Sequence, residues 1–163
     1  MDIQNTLRKI DSVVLGNYII KHYGPMSHLK LQKLLFYCDA YHLAYFDTEL
    51  VEDEFEAWVH GPVSRRVYDS FKDKSVLFAD LAFSDLNVAD PDADFEQLAS
   101  SQKQFIIEVL DTLTQWSDLD LETATHSEEP WKMARMGYAA GDKCSVPMSK
   151  ELTRTYYKQE LNG

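Results

Sequence analysis

Apolar residues recur at helical spacing through the first fifty positions of the chain. Between Ile10 and Tyr18 they repeat every three or four residues, which predicts an amphipathic helix that ends at Gly24-Pro25. Residues 29–47 are apolar on nearly every face, so we expect this second helix to lie at the centre of the fold. Its principal stripe consists of Leu31, Leu34, Leu35, Cys38, Tyr41 and Tyr45.

A change of period marks one short strand. The segment from Phe55 to Val59 alternates and is rich in strand-forming residues, which predicts a short β-strand or hairpin element near residues 53–60. Gly61 and Pro62 end this strand. We expect Pro62 to stand in the first turn of a following helix, where proline is well tolerated.

Helical patterns also fill the second half of the chain. Residues 97–116 predict one long helix, residues 119–124 and 131–136 predict shorter ones, and a last helix capped by Ser149 runs to about residue 161. The predicted buried stripe of the long helix consists of Phe105, Ile106, Val109, Leu110, Leu113 and Trp116. The whole chain, residues 1–163, is therefore predicted to be a mainly α protein, a compact single-domain helical bundle with one small β element.

The acidity of the chain is concentrated in its middle third. The 163 residues carry 16 Lys and Arg against 27 Asp and Glu, a net charge of −11, and residues 51–100 alone hold four bases and twelve acids. Affinity for nucleic acid comes mainly from Lys and Arg that displace counterions, so we expect no direct nucleic-acid binding. Residues 75–102 contain no Lys or Arg, and this charge run predicts a solvated loop or linker.

Cysteine usage and hydropathy point to the cytoplasm. The two cysteines form no C-x-x-C pair, which fits a reducing compartment. The first twenty residues lack the continuous apolar region of a signal peptide. The longest apolar-rich stretch, residues 29–46, is interrupted by charged side chains, so we expect no membrane span.

Candidate catalytic groups are few and poorly supported by their spacing. His126 and Glu129 stand three residues apart, a spacing that could place two metal ligands on one helical face, but no further ligand motif lies nearby. His60 could act as a general base, and Cys38 lies on a packed apolar stripe where a thiol is inert. Phosphate-loop and serine-hydrolase motifs are missing from the sequence. We therefore expect no enzyme, no catalytic residue, no metal and no cofactor; a metal- or histidine-dependent enzyme is the alternative.

Three segments of the sequence carry a family resemblance. They are LKLQKLLFY at residues 29–37, EAWVHGPV at residues 56–63 and THSEEPW at residues 125–131. In this order and at these separations they resemble the Panacea domain, a family of SocA-like antitoxins that also includes phage-associated proteins. The resemblance implies a compact, mainly helical domain that neutralises a toxin by direct protein contact. A phage or prophage regulator, or a proteolytic adaptor that binds a host protein, is an alternative role.

The same segments supply a candidate pocket. The residues expected to surround it are Gln32, Lys33, Trp58, His60, Gly61, Pro62, Val63, His126, Glu129 and Trp131. A separate candidate surface for selecting the partner lies in the acidic stretch, at Phe78, Leu81, Phe83 and Asp85. The net charge of −11 favours a basic toxin, because opposite charges speed the encounter.

Overall fold

The computed structural model describes residues 6–71 and 77–162, and the elements below are those of these residues. The helices are α1 (Ser12–Tyr23), α2 (His28–Phe46), α3 (Arg65–Ser70), α4 (Pro91–Glu96), α5 (Ser100–Leu113), α6 (Asp118–Ser127), α7 (Glu129–Ala134) and α8 (Lys150–Asn162). The strands are β1 (Met26–Ser27), β2 (Phe55–Trp58), β3 (Gly61–Ser64) and β4 (Asp80–Leu81). They form two antiparallel two-stranded sheets, β1 with β4 and β2 with β3. The prediction of a mainly α fold with a short hairpin is confirmed.

Helix α1 ends at Gly24-Pro25, as the sequence predicts, and α2 covers nearly the predicted residues 29–47, whereas α1 begins only at Ser12, after Ile10. The Asp11 side chain accepts hydrogen bonds from the amides of Val13 and Val14 at the start of α1, and Ser27 caps α2 in the same way. Gly24-Pro25 follows α1 directly. These helix ends are set by residues close to them in the chain, which is why they can be predicted from the sequence.

Helix α2 lies at the centre of the core, as its apolar composition predicts. Leu31, Leu34 and Leu35 are completely buried, whereas Tyr45, which shares the predicted stripe, is 62% exposed near the end of the helix. Burial raises the pKa of the Cys38 thiol far above its usual range, as expected for an inert core cysteine. Five polar side chains of α2 are also buried: His28, Gln32, Lys33, Asp39 and His42. A buried polar group costs free energy unless it is paired, so the partners of these side chains define the contacts of the helix.

Two acidic side chains join the helices around α2. Asp39 accepts hydrogen bonds from the amides of Leu50 and Val51 and pairs with Lys150 of α8, its Oδ2 lying 2.6 Å from Nζ. Glu128, between α6 and α7, accepts from the hydroxyls of Tyr37 in α2 and Tyr157 in α8, at 2.6 and 2.7 Å. Burial raises the pKa of the Glu128 carboxyl, against the effect of the two hydroxyl bonds.

The predicted long helix over residues 97–116 is the shorter α5 in the structure, and residues 97–99 connect it to α4. The Gln102 side chain accepts a hydrogen bond from the amide of Ala99, just before α5, at 2.9 Å. Gln102 itself is buried and bonds Arg8 and His42, which lie far away in the sequence. The prediction of one buried stripe is also wrong at Trp116, which follows α5 and is 41% exposed.

The prediction of a solvated loop or linker over the acidic stretch is wrong for the part of it that the structure describes. Residues 75 and 76 lie outside the described part of the chain, and residues 77–102 include β4, α4 and a single 3-10 turn at Phe83–Asp85. Leu81 pairs with Met26 and is completely buried, and Phe95 stacks on Tyr18 of α1 with ring centroids 3.9 Å apart. A few buried apolar residues thus anchor the stretch, while its carboxylates face solvent.

No helix within the described residues is long and apolar enough to cross a membrane.

A hairpin clamp and its cavity

Strands β2 and β3 form a tight hairpin with a two-residue turn, Val59-His60. Pro62 belongs to β3, paired opposite Ala57, rather than to the first turn of a helix as predicted. Helix α3 begins three residues later, where the Ser64 hydroxyl accepts a hydrogen bond from the amide of Val67. The hairpin pairing therefore overrides the preference of proline for helix starts.

Central helix α2 binds the backbone of β3 and of the turn. The Gln32 amide accepts from the Ser64 N–H at 2.8 Å and donates to the Ser64 carbonyl at 3.3 Å, so one side chain satisfies both backbone groups. The next residue, Lys33, donates from Nζ to the carbonyl of His60 at 2.5 Å. Gln32 and Lys33 thus hold the hairpin and do not face solvent; both are completely buried.

Helix α7 binds the opposite strand. The Trp131 indole donates to the carbonyl of Trp58 and the Arg135 guanidinium donates to the carbonyl of Ala57, both at 2.9 Å. Arg135 also lies over the Trp131 ring, 5.0 Å from its centroid. We call Gln32, Lys33, Trp131 and Arg135 the hairpin clamp.

Gly61 is required at the turn by its backbone and by its neighbours. Its φ of +128° belongs to a region that side chains rarely adopt. A Cβ there would lie 3.1 Å from Cε of Lys33 and 3.2 Å from the Thr125 hydroxyl. The Gly-Pro pair of the family segment thus lets the turn approach the buried lysine.

Lys33 is a charged group in the protein interior. Burial lowers the pKa of its ammonium to about 8, although the carboxylates of Glu122 and Asp118 act in the opposite direction. Such a group costs stability while it is charged, and its hydrogen bond to the His60 carbonyl offsets part of that cost.

His126 and Glu129 do not form a metal site with a third ligand. The His126 ring stacks on Trp131 with centroids 4.0 Å apart, and burial lowers the pKa of the imidazole. Its Nε2 is buried without a hydrogen-bond partner among the described residues. Glu129 is exposed at the start of α7. Within residues 6–71 and 77–162, no group of three His, Cys, Asp or Glu side chains is arranged to hold a metal ion.

The outer side of the hairpin opens into a cavity of about 620 Å³. Trp58 and His60 are the two predicted pocket residues that line it. Six of the others form or hold the hairpin backbone: Gln32, Lys33 and Trp131 in the clamp, and Gly61, Pro62 and Val63 buried in β3. Of the remaining two, His126 stacks on Trp131 and Glu129 is exposed at the start of α7. The predicted pocket is therefore split into an inner, structural set of residues and an outer, accessible set.

Aromatic rings and cations line the cavity. Tyr68 packs edge-on against Trp58 at 5.0 Å, and Arg65 lies over the Trp58 ring at 4.9 Å while it pairs with Glu56. Tyr138 and Lys143 close the other side. The sequence carries no local signal for these last two, because they reach the cavity from the loop between α7 and α8.

Of the residues predicted to select the partner, Phe78 contacts a residue that lines the cavity. Phe78 is 65% exposed and packs edge-on against His60, with ring centroids 5.3 Å apart. Phe83 is equally exposed, and the Asp85 carboxylate accepts from the amide of Ala82 and so holds the 3-10 turn. Leu81 is completely buried, so its assignment to an exposed surface is wrong.

His60 connects this surface to α6, since its Nδ1 lies 2.6 Å from Oε1 of Glu122.

Comparison with known proteins agrees with the three sequence segments. No curated protein and no solved structure matches the chain. Residues 31–132 match the family model described as antitoxin SocA-like, Panacea domain. This match covers more than half of the chain and includes most of α2, the hairpin, α6 and the start of α7. The chain therefore belongs to the SocA-like antitoxin family with the Panacea domain.

Proposed function

We propose that this protein is an antitoxin that neutralises a cognate toxin by direct protein–protein contact. Membership of the SocA-like antitoxin family supports the general role. Neutralisation by contact requires a surface for the toxin and no catalytic group.

The observation that carries the proposal further is the convergence of the family segments on one hairpin. The second segment forms the hairpin, residues from the first and third segments hold its backbone from behind, and the side chains on its outer side remain accessible. Fixing a contact surface before binding lowers the entropy lost on association. We therefore place the toxin contact on this outer surface, the hairpin face, which consists of Trp58, His60, Arg65, Tyr68, Phe78, Tyr138 and Lys143.

The composition of the hairpin face suits a protein contact. Trp, Tyr and Arg are the residue types most enriched among those that dominate binding energy, and the face contains all three. Trp58 and Tyr68 are half-buried, so they offer large apolar area with little loss of side-chain freedom.

Charge contributes to toxin binding in two ways, at long range and at the contact itself. The net charge of −11 attracts a basic toxin from a distance, whereas Arg65 and Lys143 at the cavity suit an acidic or carbonyl group of the bound toxin. We accordingly propose a toxin that is basic overall and that presents an apolar or aromatic side chain to the cavity.

Two exposed phenylalanines provide a matched test of this surface. Phe78→Ala removes the ring that packs against His60 on the hairpin face, and Phe83→Ala makes the same substitution at a residue of similar exposure that is not part of that face. The toxin gene is identified as a neighbouring gene that cannot be cloned without this one. We expect Phe78→Ala to weaken binding of the purified toxin by about tenfold, roughly 1.4 kcal/mol, and Phe83→Ala to leave it unchanged.

The possible outcomes test the antitoxin role and the location of the toxin contact on the hairpin face separately. Equal toxin binding and equal rescue of growth by both variants would remove the hairpin face from the proposal. Failure of the protein to rescue growth from any neighbouring gene product would contradict the antitoxin role. Rescue that requires a cellular protease, without inhibition of the toxin by the purified protein, would favour the proteolytic adaptor.

A further inference from the structure

Helix α5 carries two apolar stripes, and the core covers one of them. Ile106 and Leu110 are completely buried against the rest of the fold. Phe105 and Val109, each one position before these, form a second stripe that continues to Trp116 just beyond the helix. The sequence pattern predicts that both stripes are buried together, whereas in the structure Phe105 and Val109 are half-buried and Trp116 is exposed.

The second stripe forms one wall of a groove. Leu161 of α8 stands on the opposite side, and Tyr41 of α2 lies between them. Trp116 and Leu161 are 41% and 45% exposed. The groove encloses about 370 Å³ and follows the stripe from residue 105 to residue 116, which is roughly 16 Å or three helical turns. We call it the α5–α8 groove.

Carboxylates border this apolar surface. Glu108 and Glu160 line the α5–α8 groove, and neither pairs with a lysine or arginine within the described residues. No cation lines the groove in that part of the chain. The groove therefore combines an apolar floor with an unneutralised negative rim.

We propose that the α5–α8 groove binds an amphipathic helix of a partner protein, one whose apolar stripe is flanked by lysine or arginine. A helix of about three turns matches the length of the groove, and its apolar residues would cover Val109, Trp116 and Leu161. Its basic residues would pair with Glu108 and Glu160. This contact is separate from the hairpin face and does not depend on the function proposed for that surface.

Charge also argues against a second copy of the same chain as the occupant. A symmetric contact between two grooves would bring four unpaired carboxylates together on molecules that each carry −11. Like charges in contact destabilise an interface, so a basic partner is the better match.

The test uses a synthetic peptide of about 14 residues composed of leucine and lysine, with leucines at helical spacing, labelled with fluorescein. Binding to the full chain is measured by fluorescence anisotropy. We expect saturable binding, no binding of the same peptide with glutamate in place of lysine, and about tenfold weaker binding to the Glu108→Lys, Glu160→Lys double variant. Trp116→Ala is expected to weaken binding by a similar factor, because it removes apolar area from the rim.

The matched control is the Glu54→Lys, Glu151→Lys double variant. Both residues are exposed and do not line the α5–α8 groove, and the variant changes the net charge by the same amount. Equal weakening by the two double variants would show that the peptide responds to net charge alone and would overturn the proposal. A dimer in sedimentation that dissociates on Trp116→Ala would assign the groove to a second copy and also overturn it. Thermal unfolding of each variant verifies that it is folded.

Discussion

The buried ammonium of Lys33 should make stability depend on pH in a way that one substitution can isolate. Lys33 is completely buried, and its folded-state pKa is about 8 against an ordinary value of 10.5. Between these two values the unfolded chain holds one proton more than the folded chain. Stability therefore rises with pH across this window, because the folded protein escapes the cost of a buried charge.

The size of the effect follows from the pKa difference. Each unit of pKa difference corresponds to about 1.4 kcal/mol, so the full shift is worth about 3 kcal/mol. Most of it falls between about pH 7 and pH 10, where the lysine should contribute a gain of about 2.5 kcal/mol. Other groups act in the opposite direction. Burial raises the pKa of Cys38 and of Tyr37, so these two groups lower stability as the pH rises above about 9.

The measurement is therefore a difference between wild type and Lys33→Met. Urea unfolding at pH 7, 8, 9 and 10 gives the free energy of unfolding of each protein, and the contributions of cysteine and tyrosine cancel. We expect wild type to gain about 2.5 kcal/mol relative to the variant over this range. Lys30→Met, on the same helix and also bonded to a backbone carbonyl, corrects for the loss of one ammonium. A difference that stays constant within about 0.5 kcal/mol would refute the assignment of a desolvated ammonium to Lys33.

Two further predictions concern the turn and the network at α8. Gly61→Ala should lower the free energy of unfolding by about 2–4 kcal/mol. The new Cβ would crowd the Lys33 side chain, and alanine would have to adopt an unfavourable positive φ. Gly137→Ala, at φ +90° with open space around it, should cost only about 1–2 kcal/mol, and equal losses in urea unfolding would contradict the close contact. Because burial raises the pKa of Glu128, its ionisation destabilises the fold as pH rises, so Glu128→Gln should gain stability relative to wild type between pH 4 and pH 7. The same difference at both pH values would show that Glu128 is well solvated.

Local sequence signals were sufficient for the helices that pack on one face and have clear ends. The caps at Asp11 and Ser27 act on the next three residues, so they can be read without knowledge of the fold. Of the candidate pocket residues that the sequence named, Trp58 and His60 line one cavity in the structure. The sequence could not show that Lys33 points into the core while Trp58 and His60 point outward, because the order of polar and apolar residues around them does not reveal this.

The misassigned residues depend on strand pairing, which a helical or compositional pattern does not contain. Pro62 lies in a strand because it pairs with Ala57 across the hairpin, and Leu81 is buried because it pairs with Met26, more than fifty residues away. A composition rule that treats residues 75–102 as a linker does not include the pairing of Leu81 with Met26. The same limit applies to Trp116, whose exposure depends on where α8 ends relative to α5.

The sequence by itself determined the family, the mainly helical fold and the central position of α2, because periodicity, caps and three short segments are local properties. Tertiary structure decided which family residues hold the hairpin and which remain open to a partner. It also decided that the acidic middle of the chain packs on the core and that the second apolar stripe of α5 is only half-buried. The physical reason is that burial and hydrogen-bond pairing are properties of contacts between distant residues, whereas a helix is specified by residues within a few positions of one another.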